Sequence, residues 1–173
     1  LGVLALRGFS VQACEPVHFT HGVASGDPLA DRVILWTRAI PGSGNHSNVS
    51  ALWQMAADNE FTQILASGNA SATNDSDYTI KVDATDLAPN QKYFYRFIVD
   101  GISSPIGQTK TLPLGIVDEY KIGVASCSNY PQGYFNAYKH MAESDLDLVL
   151  HLGDYIYEYA QGRYASKVAL EQL

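Results

Sequence analysis

From His18 to about Pro113 the apolar positions fall in short runs separated by Gly, Pro, Asn, Asp and Ser. Residues 33–37 (Val-Ile-Leu-Trp-Thr) follow a Gly26-Asp27-Pro28 turn, and residues 51–56 follow a Gly/Ser/Asn segment. Residues 78–82 follow Asn74-Asp75-Ser76, while 93–99 run into Asp100-Gly101 and a further extended stretch. Short runs rich in β-branched and aromatic types, punctuated in this way, predict an all-β sandwich. The one helix-period stretch of this part is 59–66.

The spacing Leu87-Ala88-Pro89-Asn90-Gln91-Lys92-Tyr93 sharpens that reading. It is the Leu-x-Pro-x-x-x-Tyr of a tyrosine corner, in which a phenol at the start of a strand bonds back to the preceding backbone. Tyr95 and Phe97 continue the alternation, so the domain resembles an immunoglobulin or fibronectin type III sandwich. Tyr93, Trp36 and Trp53 are then core or corner residues. His18 and His21 read as surface histidines, because no third donor accompanies them in the sequence.

After Leu112-Pro113-Leu114-Gly115 the periodicity changes. Residues 120–125 form a short apolar run. Pro131-Gln132-Gly133 then opens a segment whose Tyr134, Ala137, Tyr138 and Met141 share one helix face, and 146–152 are nearly all apolar. Strand, helix and strand in this length predict a βαβ unit with parallel strands, the second buried on both faces. Domain bounds follow: 1–16 a remnant of a secretion signal or a tail, 17–114 the sandwich, and 119–173 the start of an α/β domain.

Parallel neighbours end on the same edge of a sheet, and that carboxyl edge is where open α/β sheets bind ligands. Cys127 ends the first strand and Asp154 the second, one strand spacing apart, with Gly153 allowing a sharp turn. Tyr157 follows by three residues, so its phenol can return to the same edge. Thiolate, carboxylate and phenolate together suit a ferric ion better than zinc, and spare oxygens suit calcium or magnesium nearby. The bland alternative is that Cys127 is a small buried hydrophobe, Gly153-Asp154 a turn, and Tyr155, Tyr157 and Tyr159 packing residues.

Composition removes some functions. A net charge of −7 with eleven scattered Lys and Arg does not make a nucleic-acid surface, and no apolar run is long enough to span a membrane. The acidic balance leaves phosphate esters open as substrates, since metal ions reverse the local field. Residues 1–14 read as the tail of a secretion signal with Cys14 as a candidate lipid-anchor site, or as an ordinary tail. Four Asn-x-Ser stretches, at Asn45, Asn48, Asn69 and Asn74, mark surface loops. Residues 166–173 look like a helix beginning without a stop signal, so the sequence reads as a fragment.

Two stretches carry a family resemblance. Phe19-Thr20-His21-Gly22-Val23-Ala24-Ser25-Gly26-Asp27-Pro28 with Val33-Ile34-Leu35-Trp36-Thr37-Arg38 resembles the opening of the N-terminal domain of PhoD-type alkaline phosphatases. Ala125-Ser126-Cys127-Ser128 and Leu150-His151-Leu152-Gly153-Asp154-Tyr155-Ile156-Tyr157-Glu158-Tyr159 resemble the first two motifs of their metallophosphatase domain. The resemblance implies a β-sandwich followed by the first β-α-β unit of an α/β metallophosphoesterase domain, truncated. It further implies an exported enzyme, periplasmic, cell-surface or extracellular, that hydrolyses phosphate mono- or diesters with a hydroxide activated by ferric iron and calcium. By the motif match Cys127 and Tyr157 would bind iron, and Asp154, the catalytic candidate, would bridge iron to calcium. The family's remaining ligands would lie after Leu173, so this stretch alone would be inactive. The opposing class is a secreted immunoglobulin-like binding module without catalysis. "Gly-Val-Ala-Ser" at 22–25 and again at 123–126 reads as coincidence, the first feeding a turn between sandwich strands.

Overall fold

The computed structural model describes residues 16–42, 47–130 and 134–159. The chain divides into two compact units, Leu1–Leu114 and Gly115–Leu173.

The first unit holds strands β1 (Val23–Gly26), β2 (Val33–Arg38), β3 (Asn48–Ala56), β4 (Ile64–Thr73), β5 (Thr79–Ala84), β6 (Lys92–Val99), β7 (Ile102–Ser103) and β8 (Gly107–Lys110). One sheet has the order β1-β2-β5; the other runs β4-β3-β6-β7, with β8 also paired to β6. All these pairs are antiparallel. Alternation sets the core, as a period of two requires. Val33 and Leu35 of β2, Ile80 and Val82 of β5, and Tyr93, Tyr95, Phe97 and Val99 of β6 are buried, while their neighbours along each strand are not. The buried Thr37 hydroxyl is satisfied by donating to Gly22 O at 2.9 Å. Trp53 packs against this cluster. Trp36 does not: it sits on the outward face of β2, half-buried beside Lys81 and Ala24, because Val33, Leu35 and Thr37 take the inward positions.

The tyrosine corner forms as the spacing predicts. The buried Tyr93 hydroxyl accepts from Ala88 N at 2.8 Å and donates to Ala88 O at 3.3 Å. Thr111 Oγ1 donates to the same carbonyl at 2.6 Å and accepts from Gln91 N at 3.0 Å, so two side chains pin the loop entering β6.

Other expectations are corrected. Residues 59–66 form no helix. The Asp58 carboxylate accepts from Glu60 N, Thr62 N and Gln63 N, and Phe61 takes a left-handed φ of 57°, which closes a turn and launches β4. β4 pairs with β3 along its length, with an irregularity between Met55 and Ala56. Its Gly68 lies under the Trp53 indole, where an added Cβ would come 2.8 Å from Nε1. Asn48 and Asn69 therefore lie within paired strands, not in loops, while Asn74 starts a short 3₁₀ turn. The first Gly-Val-Ala-Ser contributes to strand β1 itself and does not merely feed a turn.

In the second unit β9 (Ile122–Ala125), α1 (Asn136–Glu143) and β10 (Leu148–His151) make the expected βαβ unit. The strands are parallel, with Leu148 opposite Ile122 and His151 opposite Ala125. A side chain at Gly123 would fall 2.7 Å from both Met141 Cε of the helix and Leu146 Cδ1, so its absence lets helix and strand entry close on β9. Tyr134 precedes the helix, since Phe135 at φ 52° occupies the N-cap. β10 is not buried on both faces: Val149 and Leu150 remain 49% and 43% exposed, because the described residues of this unit offer one short helix as cover. The segment 1–15 with Cys14, Asn45, Pro131-Gln132-Gly133 and the stretch 166–173 lie outside the described residues.

Two expectations can be measured on the sandwich. Tyr93→Phe removes both corner bonds and leaves Ala88 N–H unpartnered, so denaturant unfolding should show a loss of about 1–3 kcal/mol; an unchanged midpoint would contradict the pinning role. Burial pushes the Tyr95 phenol up to about 12. A phenol raised above its unfolded value of ~10 favours folding below that pH, and the contribution is lost as pH rises through the folded value. Alkaline unfolding of the sandwich should therefore steepen above pH ~10, and Tyr95→Phe should flatten that dependence.

Candidate metal centre

Strands β9 and β10 end in register at Ala125 and His151. The hydrogen-bond ladder then continues into both loops. Leu152 N donates to Ala125 O at 2.9 Å, Cys127 N to Gly153 O at 3.3 Å and Ser128 N to Asp154 O at 3.2 Å. Tyr157 N donates to Ser128 O at 2.7 Å, Tyr130 N to Tyr157 O at 3.1 Å, and Asn129 and Tyr157 form a parallel bridge. The loops are zipped to one another as the strands are.

Within that zip the backbone turns sharply. Gly153 has φ 104°, accessible at little cost only to glycine. Cys127 and Asp154 have φ of 59° and 50°, left-handed values that cost a side-chain-bearing residue about 1–3 kcal/mol each. The two turns bring Cys127 Sγ to 3.5 Å from Asp154 Oδ2. The Tyr157 phenol lies at the same edge, close enough for the Asp154 carboxylate and the Cys127 thiol both to act on its proton. By accepting a hydrogen bond from the phenol, the carboxylate, together with desolvation and its own charge, holds the phenol well above the usual tyrosine range.

All three residues singled out on the sequence thus converge, and the donor set fits a metal ion. Two donors bound to one ion at ~2.0–2.3 Å lie about 3–3.7 Å apart when the angle between them is near 90–110°, which brackets the observed separation of sulfur and oxygen. Among the described residues no three His, Cys, Asp or Glu side chains cluster in this way; here the third donor is a phenol. Tyr155 instead packs against the His151 ring, with centroids 4.9 Å apart, and Tyr159 stacks on Tyr157 at 5.5 Å. His18 and His21 of the first unit are exposed, the latter bonded to Thr20 Oγ1 at 2.8 Å.

A second layer was not singled out on the sequence. Ser128, buried at 8% exposure, hydrogen-bonds through Oγ to the Tyr138 hydroxyl of α1. That hydroxyl also meets His151 Nε2 at 3.1 Å, and His151 Nδ1 accepts from Gly153 N at 3.3 Å. The only signal was indirect: Tyr138 on the helix face and His151 at the strand end.

Comparisons with known proteins agree in both units. Residues 6–113 match the family described as PhoD-like phosphatase, N-terminal domain, and residues 122–172 match PhoD-like phosphatase. The chain is 46% identical over 156 residues to alkaline phosphatase D of Bacillus subtilis (strain 168), covering 86% of this chain and 27% of that protein. It superposes on a solved structure of PhoD with a TM-score of 0.81 and 45% identity, covering 90% of this chain and 31% of the other. The chain therefore spans between a quarter and a third of the length of these relatives.

The Tyr157 contact predicts a titration. In metal-free protein, subtracting the ultraviolet alkaline titration of Tyr157→Phe from that of the parent should isolate one phenol ionising above pH ~10. A midpoint at or below the ordinary value would mean that Asp154 does not hold its proton. Because the folded value is raised, any stabilisation from this contact is complete below pH ~10 and disappears as pH rises through that value.

Proposed function

The chain belongs to the PhoD-like phosphatase family, and from that membership we propose that the protein hydrolyses phosphate mono- or diesters outside the cytoplasm, at a centre of ferric iron and calcium. The observation that carries the reading is the convergence of the Cys127 thiol, the Asp154 carboxylate and the Tyr157 phenol on one strand edge. Cys127 and Tyr157 would hold the iron, and Asp154, with two oxygens, would be shared with calcium. When bound, such a pair of ions supplies Lewis acidity, acidifying water and neutralising charge on the phosphoryl oxygens.

The remaining work falls to the chain. Tyr157 and Cys127 would have to give up their protons to act as donors, and the Asp154 carboxylate, no longer facing the phenolic proton, would then be available as a donor as well. Gly153, lacking a side chain, leaves open space beside the turn: nothing lies within 4 Å of where its Cβ would be. The zipped loops keep the donors from rearranging as charge builds on the substrate, the preorganisation on which electrostatic catalysis rests. Three donors do not complete two coordination shells, so the centre would need donors besides these three. No helix among the described residues is long and apolar enough to cross a membrane.

The test uses a protein carrying the whole family domain, assayed with p-nitrophenyl phosphate and its bis ester. It should show a visible phenolate-to-iron band, and Cys127→Ala should lower turnover by more than about 100-fold, the upper end for residues that only support a ligand. The 173-residue stretch alone should give no turnover above buffer. A colourless protein whose Cys127→Ala variant hydrolyses both esters at the parental rate would end this reading.

A further inference from the structure

The Tyr138 hydroxyl of α1 meets the loop after β9 on one side and the end of β10 on the other. Toward β9 it bonds Ser128 Oγ, the residue next to Cys127. Toward β10 it bonds His151 Nε2, and the same imidazole accepts from the amide of Gly153, the residue next to Asp154. One consistent set of directions starts from the Gly153 amide. Gly153 N–H donates to Nδ1, so the neutral ring carries its proton on Nε2 and donates it to the Tyr138 oxygen. In that set the phenolic proton points to Ser128 Oγ. The phenol then has a donor in His151 and an acceptor in Ser128.

Ser128 makes the connection consequential. Its amide and its carbonyl are both engaged by the β10 loop, through Asp154 O and Tyr157 N, and its hydroxyl is its only remaining handle. The helix reaches it through Tyr138. Cys127 and Asp154 hold left-handed backbones that relax unless their surroundings fix them, and they flank the residues tied to this phenol. We propose that Tyr138 is a positioning residue for the metal edge: its hydroxyl clamps the loop after β9, through Ser128, to the loop after β10, through His151 and Gly153, and so sets the spacing of Cys127 and Asp154. The proposal rests on reading that edge as the metal centre. The Tyr138 hydroxyl bonds Ser128 and His151, not Cys127 or Asp154, and acts through these neighbours.

The experiment compares Tyr138→Phe, Ser128→Ala and the double variant with the parent in a protein carrying the whole family domain. Iron retained against a competing chelator, the position of the phenolate-to-iron band and the thermal midpoint are measured together. Each single variant should lose about 10–100-fold in iron affinity and shift the band. The double variant should be no worse than the weaker single, because both changes remove the same bond. Parental iron affinity and an unmoved band in Tyr138→Phe, with or without a lower thermal midpoint, would overturn the proposal, as would full additivity in the double variant. Should Tyr138→Phe not fold, Ser128→Ala alone decides by the same readings. Cys127→Ala separates the two levels. If it loses iron while Tyr138→Phe does not, positioning fails and the centre stands; if it keeps iron and band, the centre reading itself has failed.

Discussion

The ladder of main-chain hydrogen bonds that runs past the ends of β9 and β10 is the constraint on which the second unit depends. Parallel strands ordinarily deliver their loops to one edge and then let them diverge toward separate helices. Here the loops stay paired from Leu152 through Tyr157, with Ser128 held by the opposite loop on both its amide and its carbonyl. Cys127, Asp154 and Tyr157 are therefore tied to one another through the main chain. The unfavourable backbone angles at Cys127 and Asp154 persist because the ladder leaves each residue no extended alternative that keeps its neighbours bonded.

The helix is fitted to that ladder from below. Gly123 has no side chain where Met141 and Leu146 approach, so α1 can settle close enough for Tyr138 to reach the strand ends. A larger residue at 123 would act at a distance, lifting the helix from the sheet. The chemistry of the edge is thus coupled to packing farther back along β9, through a helix of two turns.

What the sequence made legible follows from physical range. Strands β2, β5 and β6 announce themselves because Val33, Leu35, Ile80, Val82, Tyr95 and Phe97 alternate with outward residues over a distance the chain itself records. The convergence at Cys127 and Asp154 was legible for a related reason: parallel pairing alone puts both strand ends on one edge. Strand β4 was hidden because Ala, Ser, Gly and Asn carry little β preference, and an apparent helical spacing at 59–66 was produced by residues whose backbone is set by the Asp58 side chain. Trp36 looked like core because tryptophan usually is, but strand parity puts it outside. The Ser128-Tyr138-His151 connection was beyond reach, since it depends on how far the helix is rotated about its axis, which no local pattern encodes.

Strand β4 shows how a chain of nearly interchangeable small residues can still find a single partner alignment. Ala66, Gly68 and Ala70 share one face, and a strand so uniform could slide by two positions along β3 while keeping the same faces and most of its main-chain pairing. The Trp53 ring forbids it. In the observed alignment the ring rests over the one residue of the three that has no side chain, and a shift in either direction would drive an alanine methyl into the indole. A single bulky residue on one strand and a single missing methyl on the other thus act as lock and key for ten residues whose own composition is indifferent to where they stop.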